Sequence, residues 1–257
     1  METKKINQRE SIEKTKQGFE ESFKADSYYN KQTRDENHLE LILKSIKVEP
    51  GMRILDLGTG TGYLSFAFAK SYKQAEVFGL DIVEKTLEEN RKRAESEGLS
   101  NMHFVNYEGM DFPFNDASFD IVITRYALHH FPAMKDTFRE IGRVLKKNGI
   151  LFLSDPAPND DDKERFVDEY MQMKKDGHIK FYTRDEWKEM GEGVGLKIVD
   201  GFETSIRFPR KKETSLEFDD IIRRHDETVI KGYGVEVIND EIWITEKVNN
   251  LLFQKEE

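Results

Sequence analysis

The chain contains no cysteine, which excludes a disulfide framework and any chemistry that depends on a thiolate. Long apolar runs are also missing: the longest are strand-sized, too short to cross a membrane, and the first residues lack the apolar core of a signal peptide. Internal repeats and low-complexity segments are absent as well. For 257 residues we therefore expect one large domain with additions, in a cytoplasmic protein.

Basic residues are in the minority. The chain has 40 Lys and Arg against 50 Asp and Glu, which gives a formal net charge of −10. Because phosphate contacts need a basic surface, this balance disfavours a general nucleic-acid binder. We expect a small molecule, and no nucleic acid, as the partner.

Three glycines on alternate positions, Gly58, Gly60 and Gly62, follow the short apolar run at 54–57. Apolar residues resume after the last glycine at a spacing that suits a helix. The pattern predicts a strand, a tight turn and a helix start, which present backbone N–H groups to a ligand. Glycine is needed because the turn demands positive φ and because no Cβ can stand between the backbone and the ligand.

Two carboxylates indicate the kind of ligand. Asp56, two residues before Gly58, would repel a pyrophosphate but suits a ligand that carries positive charge. S-adenosylmethionine has an ammonium and a sulfonium, and no phosphate. Asp81 ends a second apolar run, where an acid can accept both ribose hydroxyls. The spacing of the glycines also differs from the G-x-G-x-x-G of dinucleotide sites.

Four segments, in the same order, resemble class I S-adenosylmethionine-dependent methyltransferases of the small-molecule branch, the type 11 group that contains the ubiquinone/menaquinone C-methyltransferases. These segments are Asp56 to Gly62 with Asp81, then 110–120, 127–131 and 141–149. The resemblance covers roughly residues 25–200. It implies S-adenosylmethionine as cofactor, S-adenosylhomocysteine as product, and methyl transfer to an O, N or C atom of a small organic acceptor by in-line displacement.

Strand-like and helix-like patterns alternate along the chain. They predict an α/β fold: a Rossmann-like, doubly wound, mostly parallel seven-stranded sheet with helices on both faces. The strands are expected at 54–57, 76–81, 103–105, 121–124, 150–153, 195–199 and 205–208. The motifs named above lie at the carboxyl ends of strands, where ligands of such sheets bind.

The chain divides into three expected parts. Residues 1–48 form an N-terminal helical cap or lid, and residues 49–210 form the cofactor-binding core with a substrate-side insertion at 156–182. Residues 211–257 form a C-terminal helical extension, in which 242–253 is predicted to be a helix. The sequence leaves open whether the protein is a monomer or a homodimer.

The resemblance also implies the residues that contact the cofactor. Tyr28 or Tyr29 would close over the methionine end, Ile82 would pack on the adenine, and Glu108 would accept from the adenine amino group. Arg125 would lend its backbone carbonyl. The full set of implied contacts is Tyr28, Tyr29, Asp56, Gly58, Thr59, Gly60, Gly62, Asp81, Ile82, Glu108, Gly109, Met110 and Arg125.

Histidines are the candidate catalytic residues. His129 and His130 are adjacent, and a pKa near 6.5 suits a general base. His130 is the first candidate, and His178, in the insertion, is the second. The family uses this histidine pair across different chemistries, which favours a packing role instead. No further ligands cluster nearby, so no metal site is expected.

Two other functions compete with methyl transfer. A nicotinamide-dependent dehydrogenase would explain the Tyr170-x-x-x-Lys174 spacing, but the glycine spacing and Asp56 argue against it. A non-catalytic S-adenosylmethionine-binding protein stays open, because methyl transfer can proceed by proximity and orientation without a catalytic side chain. Turnover with a methyl acceptor separates the two.

Overall fold

The computed structural model describes residues 2–24, 34–173, 176–211 and 215–256. The helices are α1 (Glu2–Lys24), α2 (Glu36–Ser45), α3 (Tyr63–Ser71), α4 (Glu84–Ser96), α5 (Met134–Val144), α6 (Phe166–Gln172), α7 (Arg184–Glu192), α8 (Ser215–Arg224) and α9 (Glu227–Gly232). The strands are β1 (Arg53–Leu57), β2 (Glu76–Asp81), β3 (Met102–Asn106), β4 (Phe119–Arg125), β5 (Leu145–Ala157), β6 (Leu196–Lys211), β7 (Glu236–Ile238) and β8 (Glu241–Lys255). A 3₁₀ turn, Leu128–His130, follows β4.

The strands form one sheet in the order β3-β2-β1-β4-β5-β8-β6, with β7 paired to β8. The pairs β1–β2, β2–β3, β1–β4 and β4–β5 are parallel, whereas β8 is antiparallel to β5, β6 and β7. The chain runs outward from β1 to β3 and then returns to β4 on the other side of β1. This reversal is a switch point, where ligands bind outside the carboxyl ends of the strands. The predicted Rossmann-like, mostly parallel fold is confirmed.

Both faces of the sheet are covered by helices. Successive side chains of a strand point to opposite faces. Leu55 and Leu57 accordingly join the apolar cluster on one face with α5 and α7. Ile54 joins the cluster on the other face with α2 and α3. Burial on both faces explains why the central strands are continuous apolar runs. Within the part of the chain that is described, no helix combines the length and apolar character that crossing a membrane would take.

The helix predicted at 242–253 is wrong, because this segment lies within strand β8 between β5 and β6. Its apolar residues recur at the i, i+4, i+7, i+8 spacing that indicates a helix: Ile244, Val248, Leu251 and Leu252. In the strand, alternate residues from Ile242 onward are buried, and two of these buried positions carry the polar residues Glu246 and Asn250. Because these two buried positions are polar, the apolar residues of the sequence do not show the period of two that indicates a strand.

Among the described residues, seven strands do form the continuous sheet, but not the seven expected. The strands predicted at 195–199 and 205–208 are one strand, β6, whose pairing with β8 is interrupted by an irregularity between Ile198 and Asp200. Strand β8 takes the remaining place, and the short β7 adds an eighth strand off the main path. The C-terminal segment thus completes the sheet.

A third apolar cluster joins the insertion to the C-terminal segment. Phe166 and Tyr170 of α6 pack with Phe218 of α8, with Tyr233, which follows α9, and with Ile244 of β8. Strand β8 pairs with β5 only as far as Lys247, opposite Ala157, the last residue of β5. The remainder of β8 therefore extends beyond the carboxyl end of β5, and this cluster stands beside the ligand-binding edge of the sheet.

Candidate functional site

The glycine turn has the predicted conformation. β1 ends at Leu57, α3 begins at Tyr63, and Gly58, Gly60 and Gly62 have φ of +70°, +49° and +76°. These are left-handed values that favour glycine. Space also demands glycine at the first position, because a Cβ on Gly58 would lie 2.5 Å from the Cβ of Ala127. The turn is thus pressed against the loop that leaves β4.

Asp56 supports the turn from behind. Its Oδ2 accepts hydrogen bonds from Thr59 Oγ1 at 2.8 Å, Ser65 Oγ at 2.6 Å and Ser65 N at 3.0 Å. The side chain is buried, and burial raises the pKa of Asp56 to about 6 despite these donors. The carboxylate ties the turn to the first residues of α3. It does not line the cavity described below, so the geometry gives it a structural task.

Asp81 bonds the glycine turn across the sheet edge. Its Oδ2 accepts from Gly60 N at 2.8 Å and its Oδ1 accepts from Val83 N at 2.9 Å. Burial raises the pKa of this carboxyl group. Each carboxylate oxygen has a further lone pair, so both can still accept a hydroxyl of a ligand.

Asn90 of α4 bonds the next peptide group, through the carbonyl of the same glycine. Its Nδ2 donates to Gly60 O at 2.8 Å, so that both polar groups of Gly60 are engaged. The sequence analysis missed this residue. The available signal was a single asparagine within the charged residues of α4, which does not by itself point to a partner.

One cavity brings most of the predicted residues together at the switch point. Its empty volume is about 990 Å³, which includes open solvent at its mouth. The predicted residues that line it are Gly58, Thr59, Gly60, Asp81, Ile82, Gly109, Arg125 and His130. Those that do not line it are Asp56, Gly62, Glu108, Met110 and His178. Tyr28 and Tyr29 lie outside the described residues.

Several lining residues are not among the predicted contacts. They come from the glycine turn and the start of α3, the loop after β3, the loop after β4 and helix α1: Thr61, Tyr63, Tyr107, Tyr126, Ala127, Phe131, Pro132, Ile12, Thr15 and Phe19. Aromatic and apolar side chains predominate in this set. A cavity of this kind surrounds an organic ligand and leaves a few polar groups to orient it.

Helix α1 forms one wall of the cavity. Ile12, Thr15 and Phe19 follow an i, i+3, i+7 spacing, which places them on one helical face. Two glycines pack closely against this face. A Cβ on Gly109 would lie 3.0 Å from Ile12, and a Cβ on Gly177 would lie 2.2 Å from Thr15 Oγ1. The ring of Phe19 meets that of His130 edge-on, with centroids 5.0 Å apart.

The loop after β4 begins with a strained residue. Tyr126 has φ +54°, a left-handed conformation that is uncommon outside glycine, and its N–H donates to Ser154 O at 2.8 Å. This sharp change of direction sets Ala127 against Gly58. Strain is therefore located where the loop meets the glycine turn.

Three histidines cluster beneath the cavity. The backbone N–H of His129 donates to Asp155 Oδ2 at 3.0 Å, and its Nδ1 lies 2.5 Å from Asp155 Oδ1. His178 Nε2 lies 3.0 Å from Asp168 Oδ1. The ring of His130 is 4.1 Å from that of His129, centroid to centroid. Burial raises the pKa of Asp155 to about 8, although the charges of nearby histidines oppose the rise.

Of the three histidines, His130 alone lines the cavity. The imidazole of His178 is instead buried against Asp168, away from the lining. Among the described residues, no group of three or more His, Asp or Glu side chains is arranged to hold a metal ion. If a histidine exchanges a proton with a ligand here, the geometry favours His130.

Comparison with known sequences identifies relatives of this chain. The profile of a family described as "Methyltransferase domain" matches residues 48–197. The uncharacterized methyltransferase YcgJ of Bacillus subtilis is 34% identical over 153 residues, which cover 59% of this chain and 60% of YcgJ. The ubiquinone/menaquinone biosynthesis C-methyltransferase UbiE of Ruegeria sp. is 35% identical over 114 residues, 43% of this chain and 46% of UbiE. The matches thus span less than two thirds of these relatives' length.

Solved structures share the fold. The crystal structure of YcgJ has a TM-score of 0.75 at 24% identity and covers 87% of this chain and 100% of that chain. Geranyl diphosphate C-methyltransferase from Streptomyces coelicolor, solved with Mg²⁺, geranyl diphosphate and S-adenosyl-L-homocysteine, has a TM-score of 0.63 at 13% identity. It covers 86% of this chain and 79% of its own. At these identities the likeness concerns the fold.

Proposed function

This chain belongs to the methyltransferase-domain family, and we propose that it moves the methyl group of S-adenosylmethionine to an O, N or C atom of a small organic acceptor. The observation that carries the proposal is the cavity at the switch point, where the glycine turn and Asp81 meet. The structural neighbour from Streptomyces coelicolor, which was solved with S-adenosylhomocysteine, supports the choice of cofactor.

The order of the strands supports one orientation of the cofactor. Neighbouring strands are about 4.8 Å apart, so the edge formed by β3, β2, β1 and β4 offers successive contacts along an extended ligand. We assign the adenine to Tyr107 and Gly109 after β3, and the ribose to Asp81 after β2. The methionine part then follows the glycine turn after β1. The methyl group points toward the loop after β4.

The chemistry we propose is a direct displacement. The acceptor atom attacks the methyl carbon, the carbon–sulfur bond breaks, and its electron pair stays on sulfur as S-adenosylhomocysteine forms. The chain contributes mainly by holding the two reactants in line. Phe131 and Pro132 give this end of the cavity an apolar wall. Where the acceptor must lose a proton, we assign His130 to receive it.

Calorimetric titration tests the cofactor, and turnover tests the reaction. We expect the wild-type protein to bind S-adenosylmethionine and S-adenosylhomocysteine and not NADH. Release of S-adenosylhomocysteine would then be measured with a panel of phenols, quinols, amines and carbon acids. Tight NADH binding would contradict the proposal. Binding of S-adenosylmethionine without turnover on any acceptor would favour a non-catalytic role.

We further propose that α1 acts as the lid of this site, and Gly177→Ala tests it. The new Cβ would lie 2.2 Å from Thr15 Oγ1 and 2.9 Å from Thr15 Cα, so the helix must shift. We expect S-adenosylhomocysteine to dissociate about three- to tenfold faster, roughly 1 kcal/mol, because the cavity loses part of its wall. Stopped-flow displacement measures this rate.

Gly51→Ala is the matched control for the lid variant. Gly51 has φ +81°, close to the +83° of Gly177, but its added Cβ meets nothing within 4 Å. It therefore carries the same backbone strain without the collision. Equal dissociation rates in the two variants would mean that contact with α1 does not retain the ligand.

A further inference from the structure

Three tyrosines line the cavity, and they differ in what their hydroxyl groups contact. The Tyr63 hydroxyl donates to Asp35 O at 2.8 Å. The hydroxyls of Tyr107 and Tyr126 have no hydrogen-bond partner among the residues that the structure describes. A tyrosine hydroxyl inside a protein usually has one, because an unsatisfied polar group away from water lowers stability. These two hydroxyls are therefore placed to bond a ligand.

The two tyrosines lie at opposite ends of the cavity. Tyr107 follows β3, and its pKa is raised by burial and by the negative charge of Asp81. Tyr126 follows β4, where burial raises its pKa to about 12. The charge of Arg125 opposes that rise and the charge of Glu246, in β8, adds to it. Because the adenine is assigned to Tyr107, Tyr126 stands at the end to which we assign the methyl group.

The backbone of Tyr126 is held in a conformation that tyrosine rarely adopts. Its φ of +54° lies in the left-handed region, which favours glycine and, among the other residues, asparagine. The N–H of Tyr126 donates to Ser154 O at 2.8 Å, and the guanidinium carbon of Arg125 lies 3.9 Å from the centroid of its ring. A strained residue in the lining of a site points to a role there, since glycine would fit the same backbone without strain.

The hydroxyl of Tyr126 supplies a polar contact beside apolar residues. Because its pKa is raised, the group keeps its proton at neutral pH, and a neutral phenol both donates and accepts hydrogen bonds. The residues after it in the lining, Ala127, Phe131 and Pro132, have no polar side-chain atom. A ligand that enters beside them loses water from its polar groups, and a hydrogen bond to Tyr126 compensates for that loss.

We propose that Tyr126 is a specificity-determining residue, whose hydroxyl forms a hydrogen bond with an oxygen or nitrogen atom of the methyl acceptor. The acceptor is then a largely apolar molecule that carries at least one hydrogen-bonding group. A pure hydrocarbon of the same shape is rejected, because it would leave the Tyr126 hydroxyl without a partner. The inference rests on the proposed function and adds to it the group that recognises the acceptor.

Matched pairs of small probes test the inference by binding. The wild-type protein is saturated with S-adenosylhomocysteine and titrated with phenol and with fluorobenzene, which has nearly the same shape but no hydroxyl. The second pair is cyclohexanone, whose oxygen only accepts hydrogen bonds, and methylenecyclohexane, which lacks the oxygen. Chemical-shift titration by NMR gives each Kd. We expect the wild type to prefer the oxygen-bearing member of at least one pair about three- to tenfold.

Tyr126→Phe is the decisive variant, because it removes one oxygen atom and keeps the aromatic ring. We expect it to lose the preference for the oxygen-bearing probe, while the affinity for the oxygen-free probe changes by less than about twofold. A residue that only supported packing would lower the affinity for both members of a pair equally. The melting temperature of the variant confirms that it is folded.

Two further tyrosines provide matched controls. Tyr72→Phe removes a hydroxyl that donates to Leu43 O at 3.3 Å, and Tyr72 does not line the cavity. Tyr107→Phe removes the same atom at the end of the cavity that we assign to the adenine. We expect both variants, saturated with S-adenosylhomocysteine, to keep the preference of the wild type.

The outcomes separate the inference from the proposed function. Loss of the preference in Tyr126→Phe alone supports the inference, and a preference for cyclohexanone shows that the hydroxyl donates. The inference is overturned, while the proposed function stands, if the wild type has no preference, if folded Tyr126→Phe keeps it, or if Tyr107→Phe loses it. If S-adenosylhomocysteine does not bind the wild type, the proposed function fails and the inference falls with it.

Discussion

Replacing Gly58 by alanine is expected to abolish S-adenosylhomocysteine binding to the limit of calorimetry, a loss of at least about 100-fold. Gly58 has φ +70°, and the new Cβ would lie 2.5 Å from the Cβ of Ala127. Neither atom belongs to a flexible side chain, so the glycine turn or the loop after β4 must move. Either movement displaces backbone groups that line the cavity.

Two further variants separate collision from backbone strain. Gly98→Ala is the control, because Gly98 has φ +66° and its added Cβ meets nothing within 4 Å. We expect it to lose about 1 kcal/mol of stability and to bind normally. The double variant Gly58→Ala/Ala127→Gly removes the colliding methyl group and should recover part of the affinity. Normal binding by Gly58→Ala itself would contradict the close approach of turn and loop.

Replacing Asp81 by alanine is expected to weaken S-adenosylhomocysteine binding about 100-fold, roughly 3 kcal/mol, because two hydroxyls lose a charged acceptor. The same variant also removes the hydrogen bonds that Gly60 N and Val83 N donate to Asp81, at 2.8 and 2.9 Å. A simple loss of affinity therefore does not separate ligand recognition from support of the turn.

A change in the ligand separates the two effects. The wild-type protein should prefer S-adenosylhomocysteine to its 2′-deoxy analogue, and Asp81→Ala should lose that preference. Asn90→Ala is the matched control, since Asn90 holds the same residue, Gly60, through its carbonyl and does not line the cavity. It should weaken both ligands equally. If Asp81→Ala retained the preference, Asp81 would support the turn alone.

The residues of the glycine turn could be predicted because their requirement is local. A left-handed φ at Gly58, Gly60 and Gly62 is a property of each residue's own backbone, so the sequence records it directly. The position of Asp81 beside the turn was predictable for a related reason. An acid at the end of a strand next to such a turn is brought to the same sheet edge by the parallel topology.

Asp56 illustrates how the fold can engage a predicted residue within the protein itself. Its spacing suggested a carboxylate facing a cationic ligand, and in the structure its Oδ2 accepts hydrogen bonds from Thr59 and Ser65. The direction of a side chain depends on which donors the fold brings within reach. The two serine and threonine hydroxyls were visible in the sequence, and their convergence on Asp56 was not.

The sequence by itself determined the alternation of strands and helices, the conformation of the glycine turn and the carboxylate beside it, since these depend on neighbours along the chain. Only the tertiary structure decided that β8 completes the sheet and that α1 forms a wall of the cavity against Gly109 and Gly177. Each of these features joins residues far apart in the chain. Their contacts depend on packing and on satisfying buried polar groups, and neither leaves a periodic signal in the sequence.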